Sequence, residues 1–382
     1  MNPSRCFVHA LLAGTLAALP ALVSAQAITL PPDGDNQKAS VSQWIGLVEV
    51  NITYNAPKVT APDGSDRTGK IWGQLVPWGM ASLGFGTCGD QCPWRAGANE
   101  NTVFRVSHDV RIQGQPLPAG SYGLHMIPGQ DEWTIIFSKN STSWGSFFYD
   151  SNEDALRVKA RPASCEYTHW LTYEFTERKA DRATVALKWE KLQLPWVITV
   201  DTPTDLYLAA IRRELRTSPG FTWQAWEQAA RFCRDRKTNL TEGLAWAQNA
   251  VSMRFIGQEN FTTLRTLADL QAANGLTVEA EKTAQQALAH PTAGPLELHQ
   301  YGRELQAKGE NAAALKVFEL NATKHPGAWP VNVGLARGYM ALGRTAEALK
   351  AARAALAQAP DDVNRKNLAK MVAELEAVKP VK

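Results

Sequence analysis

Three glycines spaced 34 residues apart, Gly275, Gly309 and Gly343, constrain the fold of the second half of this chain. Other residues recur at fixed offsets from them: alanine five positions later, alanine or phenylalanine nine positions later, and proline seventeen positions after the last two glycines. These residues are Ala280, Ala314, Ala348, Ala284, Phe318, Ala352, Pro326 and Pro360. Such a period is typical of stacked supersecondary units that bury their apolar faces against neighbouring copies. The second half is therefore predicted to be a helical repeat array.

The repeats lie in a segment rich in Ala, Leu, Glu and Lys. Glycine at the inter-helix turn, small residues at close helix crossings and proline at the end of each unit resemble the tetratricopeptide repeat. Three units are clear from 260 to 361, with a degenerate unit over 222–256 and a capping helix over 364–377. The resemblance implies a solenoid over 221–382 whose groove binds a protein or peptide. A plain helical bundle is the alternative.

The first half has a two-residue period instead. Between Leu117 and Asp150, three runs rich in aromatic and β-branched residues predict strands over Tyr122–Ile127, Trp133–Ser138 and Trp144–Tyr149. Further strands are predicted over 47–55, 71–78, 102–112, 155–160, 170–175, 183–189 and 192–200. Short strands joined by regular turns, without a long helical pattern, indicate an antiparallel β-sandwich or jelly roll.

The alternation in segment 102–112 predicts its register against segment 121–127. A metal site made of His108 and His125 would need these residues to face each other, which would place the apolar residues of the second strand on the polar face. A shift by one residue restores the apolar face and sets His125 opposite Asp109. The sequence thus predicts a His125–Asp109 cross-strand pair and no metal site.

The N-terminus is predicted to be a cleaved secretory signal over residues 1–25. Arg5 supplies a weak positive region, Ala10–Val23 is apolar, and Val23-Ser24-Ala25 has the small residues of a cleavage site. The apolar run is short for a membrane span, which needs about 20 residues, although an uncleaved anchor is the alternative. The expected location is therefore periplasmic or secreted.

Export changes the interpretation of the cysteines. Without Cys6 the chain has Cys88, Cys92, Cys165 and Cys233, and an even number in an oxidising compartment suggests disulfides. A local Cys88–Cys92 bridge in the glycine-rich loop is the first choice, which leaves the other two as an inter-domain bridge or as free thiols. A zinc site is the alternative, but the second paired motif is missing.

Several motifs in the same order make the first half recognisable. SQWIGLVEVNITYNAP, GKIWGQLVPWG, WRAGANE and LPAGSYGLHMIPGQDEWTIIFSKN resemble a secreted bacterial family called domain of unknown function 2911, over roughly residues 39–201. The resemblance implies an exported all-β domain, and it implies no activity. This chain departs from the family pattern by a longer, cysteine-bearing loop before WRAGANE.

Two constellations form a candidate polar site, which comprises Arg95, Asn99, Glu100, Asp109 and His125. Arg95 and Glu100 in WRAGANE either clamp a loop or bind a ligand. The Asp109–His125 pair is either an oriented base or a solvated ion pair. No catalytic motif or cofactor fingerprint is present, so no cofactor is expected and a non-enzymatic role is favoured.

Nine of the thirteen tryptophans lie between Trp44 and Trp196, where they serve either as a sugar-binding face or as core packing. A net charge of +3 without a basic stripe does not favour nucleic-acid binding. The predicted organisation is a linker over 26–38, a β domain over 39–201, a linker helix over 202–220, and then the solenoid. The predicted function is an exported binding or scaffold protein; the alternative is an envelope carbohydrate-binding or hydrolysing β-sandwich.

Overall fold

The computed structural model describes residues 36–377. The predicted signal segment 1–25 and nearly all of the linker 26–38 therefore lie outside the described residues. The chain divides between Pro203 and Thr204 into a β unit and a helical unit. Antiparallel strands followed, within the described residues, by ten helices confirm the predicted order of fold classes.

The β unit has ten strands in the part of the chain that the structure describes. They are β1 (Gln37–Ile45), β2 (Val48–Ala56), β3 (Thr102–Val106), β4 (Val110–Ile112), β5 (Gln115–Leu117), β6 (Gly120–Ile127), β7 (Trp133–Ser138), β8 (Asp154–Ala160), β9 (Ala163–Arg178) and β10 (Arg182–Thr199). One sheet has the order β1-β2-β3-β6-β7-β8, and a second has the order β5-β4-β10-β9. All neighbouring strands are antiparallel. β1 begins inside the segment predicted as a linker.

The prediction of one continuous strand over 102–112 is wrong. The chain leaves the first sheet after Val106 and enters the second at Val110. β3 pairs with β6 so that Thr102 lies opposite Leu124, whereas β4 pairs with β5. The predicted register, and with it the His125–Asp109 pair, is therefore also wrong. The alternation misled because both strands bury every second residue, so the apolar pattern continues through the change of sheet.

Four other predicted strands also differ. Segment 144–149 forms turns, and its Phe147 ring stacks on Phe85 with centroids 4.2 Å apart. Segment 71–78 makes an isolated bridge instead of a strand. The predicted strands over 183–189 and 192–200 are one strand, β10. Aromatic and β-branched residues signal burial as well as strand, so loops that pack on a core imitate the pattern.

Side chains of the two sheets meet in a shared core. Tyr54 of β2 packs edge-on against Tyr173 of β9, with ring centroids 4.8 Å apart. Trp133 of β7 and Trp189 of β10 are both buried and both contact the ring of Trp72, which precedes β3. The specific layering of a sandwich or jelly roll stays a prediction.

The helical unit consists of helices joined by short turns. Its helices among the described residues are α1 (Pro203–Glu214), α2 (Trp223–Arg236), α3 (Leu240–Ser252), α4 (Phe261–Ala273), α5 (Thr277–Ala289), α6 (Pro295–Ala307), α7 (Asn311–Lys324), α8 (Trp329–Ala341), α9 (Thr345–Ala357) and α10 (Asp362–Ala377). Gly275, Gly309 and Gly343 follow α4, α6 and α8 with φ of 79°, 83° and 72°. Glycine is favoured there because other residues rarely adopt this conformation.

One aromatic residue fills the centre of the repeats. Phe318 of α7 has no exposed surface, and three glycines make room for its ring. A Cβ on Gly302 of α6 would collide with that ring, and Cβ atoms on Gly334 and Gly338 of α8 would lie 2.6 and 2.9 Å from it. Close approach of α6 and α8 to α7 thus depends on glycine at these positions.

Candidate functional site

The WRAGANE loop is held in a defined backbone conformation. Trp94 exchanges two backbone hydrogen bonds of 2.8 Å with Met126 of β6. Ala96 and Asn99 have φ of 52° and 54°, in the left-handed region that non-glycine residues rarely adopt. The Tyr173 hydroxyl donates to the Ala96 carbonyl at 2.7 Å. Contacts from both sheets therefore fix the loop.

Arg95 projects from this loop and is partly buried. Its Nη1 donates to the backbone carbonyl of Asn99 at 2.8 Å, and its guanidinium lies 4.9 Å from the centroid of the Phe147 ring. Gly145 leaves space for it, because a Cβ there would lie 2.7 Å from Arg95 Cζ. Burial lowers the pKa of Arg95 from its ordinary value.

Arg95 and Asn99 line a cavity of about 330 Å³. Most of its wall is apolar and comes from the loops before β3 and from β10. Its apolar residues include Pro57, Pro62, Leu75, Val76, Pro77, Leu83, Trp94 and Trp189. Arg67 and Ser146 add polar groups, and no carboxylate belongs to the lining within the described residues.

His125 lies behind this wall and is 1% exposed. Its Nδ1 is 2.8 Å from the Ser146 hydroxyl, and its ring contacts that of Tyr149. Burial, with a smaller contribution from the positive charge of Arg95, lowers the pKa of His125 to about 4. The imidazole is therefore neutral at pH 7 and could accept a proton from Ser146, although within residues 36–377 no acidic side chain hydrogen-bonds to it.

The remaining predicted residues lie elsewhere. Glu100 accepts a hydrogen bond of 2.5 Å from Asn55 Nδ2 and does not line the cavity. Asp109 precedes β4 and accepts a hydrogen bond of 2.8 Å from the backbone N–H of Ala119. The structure thus brings together Arg95, Asn99 and His125, and separates Asp109 from His125.

The cysteine-bearing loop borders the same cavity. Cys88 and Cys92 form a disulfide, as predicted for this loop, and Cys92 contributes to the cavity wall. Cys165 is a partly buried free thiol and Cys233 a buried one. In the described part of the chain, no cluster of three His, Cys, Asp or Glu side chains could hold a metal ion.

Sequence reasoning missed Arg67, Ser146 and Trp189 as parts of this site. Arg67 lies in a turn-rich loop and donates to the carbonyls of Lys58 and Val59. Ser146 lies in the aromatic run that imitated a strand. Only Trp189, inside a strand, carried a usable signal, because large aromatic residues at alternate positions indicate a core.

Tryptophan exposure bears on the carbohydrate alternative. Trp44, Trp78 and Trp144 are 57%, 37% and 49% exposed, and they belong to β1 and to two separate loops. Glycoside hydrolysis uses a pair of carboxylates about 5–10 Å apart, and the lining of the described cavity includes none. The carbohydrate role stays a prediction.

In the helical unit, ion pairs link α2 to α4 and α4 to α6, which are the first helices of successive helix pairs. Arg234 of α2 contacts Asp269 of α4 at 2.6 Å, and Arg265 of α4 contacts Glu304 of α6 at 2.7 Å. Arg265 also lies 5.2 Å from the centroid of the Tyr301 ring. Arg234 and Arg265 therefore each have an anionic partner.

No such ion pair links α6 to α8 in the described part of the chain. Arg303 of α6 and Arg337 of α8 make no ion pair within the described residues, and buried Arg337 Nε has no hydrogen-bond partner there. Burial and the charge of Arg303 lower the pKa of Arg337. Burial, followed by the charges of Arg303 and Arg337, lowers the pKa of His299 to about 4. Arg303 and Arg337 are therefore two positive groups without an anionic partner in the described chain, beside a histidine that is neutral at pH 7.

Comparisons with known proteins identify parts of both units. Residues 36–198 match the family model described as protein of unknown function (DUF2911), and residues 305–372 match a tetratricopeptide repeat model. Both matches confirm the resemblances based on sequence motifs. No curated protein matched the chain. Among residues 36–377, no helix has the length and apolarity needed to cross a membrane.

Solved structures with some likeness include MamA, the type IV pilus biogenesis factor PilW, and YrrB, described as a tetratricopeptide repeat protein with an unusual peptide-binding site. MamA is 16% identical, with 43% of this chain and 89% of that chain covered and a TM-score of 0.27. PilW is 16% identical, with 43% and 74% covered and a TM-score of 0.31. YrrB is 19% identical, with 44% and 83% covered and a TM-score of 0.27. TM-scores this low support no inference.

Proposed function

We propose that this chain, which joins a DUF2911 domain to tetratricopeptide repeats, is an exported scaffold protein whose helical unit binds an acidic segment of a protein partner. Tetratricopeptide repeats are stacked helix pairs, and such arrays use extended concave surfaces for binding. The observation that carries the proposal is the pair Arg303 and Arg337, which has no anionic partner within the described residues.

The three repeats differ at one equivalent position. Asp269, Arg303 and Arg337 each stand six residues before a repeat glycine. At the first of these positions the structure has an acid paired with Arg234, and at the next two it has arginines without acids. Carboxylates of a partner would supply charge-assisted hydrogen bonds to the guanidinium groups. Arg337 is half-buried, so its guanidinium gains more from such a partner than that of the exposed Arg303, because water screens it less.

We test this with peptides selected for binding. A random peptide library would be selected on the full chain and counter-selected on the double variant Arg303→Ala/Arg337→Ala. Acidic peptides should be enriched, and calorimetric titration should show at least about tenfold weaker binding to the double variant, as expected for lost charge-assisted hydrogen bonds. Their affinity should also fall as salt is raised.

Arg353→Ala is the matched control. Arg353 is an exposed arginine of α9 that pairs with Glu376, so its loss should leave peptide affinity unchanged. Circular dichroism would establish that each variant is folded. Selection of no peptide, or equal binding to wild type and double variant, would contradict the proposal.

Export of the mature chain is part of the proposal. The apolar segment before Ala25 supports it, and the Cys88–Cys92 disulfide is typical of an oxidising compartment. Fractionation of cells that express the full chain should place it outside the cytoplasm. Intact mass should give a chain that begins at Gln26 and holds one disulfide. A cytoplasmic, uncleaved and fully reduced product would refute this part.

A further inference from the structure

We propose that the cavity of the β unit binds a small amphiphilic anion, with its apolar body between the tryptophans and its oxyanion headgroup at Arg95. This second binding site concerns the β unit alone. It stands independently of whether the helical unit binds a partner.

The walls of the cavity suit an apolar body. At about 330 Å³ the cavity lies at the small end of the ~300–1,000 Å³ range of ligand pockets. Trp94 and Trp189 line it together with Leu75, Val76 and Pro57. Transfer of an apolar group from water to such walls is favourable, roughly in proportion to the apolar area that it buries.

The charges of the lining favour an anion. Arg67 and Arg95 are its charged residues within the described chain, and neither has an ion pair there. Arg95 donates from Nη1 to Asn99, while its Nε and Nη2 make no hydrogen bond in the described part of the chain. The carboxylate of Glu100, five residues after Arg95, accepts a hydrogen bond from Asn55 and does not line the cavity. A carboxylate or phosphate would therefore meet guanidinium donors without a competing acid.

Trp189 contributes its side chain to the cavity wall and is 1% exposed. Its indole N–H has no hydrogen-bond partner among residues 36–377 and is itself buried, so the wall offers a ligand the apolar ring. Wall tryptophans also make occupancy measurable, because a ligand beside them changes their fluorescence.

The site is formed in advance of binding. The Trp94–Met126 backbone pair and the Tyr173 hydroxyl hold the loop that carries Arg95. Cys92, which lines the cavity, is tied to Cys88. A site that is already ordered loses little conformational entropy when a ligand binds.

The full chain would be titrated with octanoate, octyl phosphate and the neutral octanamide, followed by tryptophan fluorescence and calorimetry. We expect at least one anion to bind about tenfold more tightly than the amide, as one or two charge-assisted hydrogen bonds imply. The comparison of octanoate with octyl phosphate distinguishes a carboxylate from a phosphate headgroup. Arg95→Gln should abolish the preference for the anion.

Three further variants complete the design. Arg67→Gln should also weaken the anion preference, which keeps the test decisive if Arg95→Gln fails to fold. Ala98→Phe narrows the cavity and should weaken all three compounds. Arg105→Gln, on an exposed side chain of β3 paired with Glu49, should change nothing. Equal affinity for anion and amide, no saturable binding, or binding that Ala98→Phe leaves intact would overturn the proposal.

Discussion

Replacing Phe318 with alanine should lower the free energy of unfolding of the helical unit by about 3–5 kcal/mol. The ring is fully buried among α6, α7 and α8, and the glycines around it provide no side-chain atoms to fill the space that it would leave. The loss of stability therefore has two contributions, the lost burial of the apolar ring and the cavity that remains in its place. Urea denaturation followed by far-ultraviolet circular dichroism measures it.

Val278→Ala is the control for Phe318→Ala. Val278 is 77% exposed on α5, so truncation there should change the free energy of unfolding by no more than about 0.5 kcal/mol. If Phe318→Ala cost less than about 1 kcal/mol, the ring would not be the centre of the repeat core.

The β unit should lose about 3 kcal/mol of stability as the pH falls from 7 to 4 because of His125. Its pKa is about 4 in the folded chain, against about 6.5 when it is unfolded. Between these values the unfolded state binds a proton that the folded state does not, so stability falls as pH falls through this window. Well below pH 4 both states are protonated, and this contribution stops changing.

Comparison of variants isolates the histidine. His125→Asn should flatten the pH dependence of the β unit by about 3 kcal/mol, even though loss of the ring lowers its stability at pH 7. Tryptophan fluorescence in urea reports on this unit, because most tryptophans of the chain lie there. An unchanged pH dependence in His125→Asn would refute the assignment.

The helical half could be predicted because its determinants are local. Gly275, Gly309 and Gly343 each specify a turn by their own φ, and the spacing of apolar residues specifies the helices beside them. A repeat of such units fixes which helices are neighbours without knowledge of distant contacts. Segment 222–256, which is predicted to be a degenerate unit, contains the two helices α2 and α3.

The sheets of the β unit could be predicted only in part. Phe104, Val106, Val110 and Ile112 are all buried and alternate without interruption. This alternation of buried residues is the same whether one strand stays in one sheet or the chain changes sheets between Val106 and Val110. Register depends on the partner strand, and the sequence did not identify that partner.

The candidate site shows the same limit. Arg95 and Asn99 could be found because their polar side chains stand in a turn-rich motif. The burial of His125 depends on the loop after β7, which Asn101 holds by donating to the Asn140 carbonyl at 3.1 Å. Such long-range coverage leaves no periodic trace, so the sequence could not show that His125, on the polar face of β6, is buried.

The passage of the chain from β3 to β4 also has a consequence for how the β unit melts. Residues 107–109 alone separate a central strand of one sheet from a strand of the other. Because this connection is so short, displacement of β3 from the first sheet would also displace β4 from the second sheet, and the reverse. We therefore expect both sheets to unfold together, as one cooperative transition, despite their separate hydrogen-bond networks.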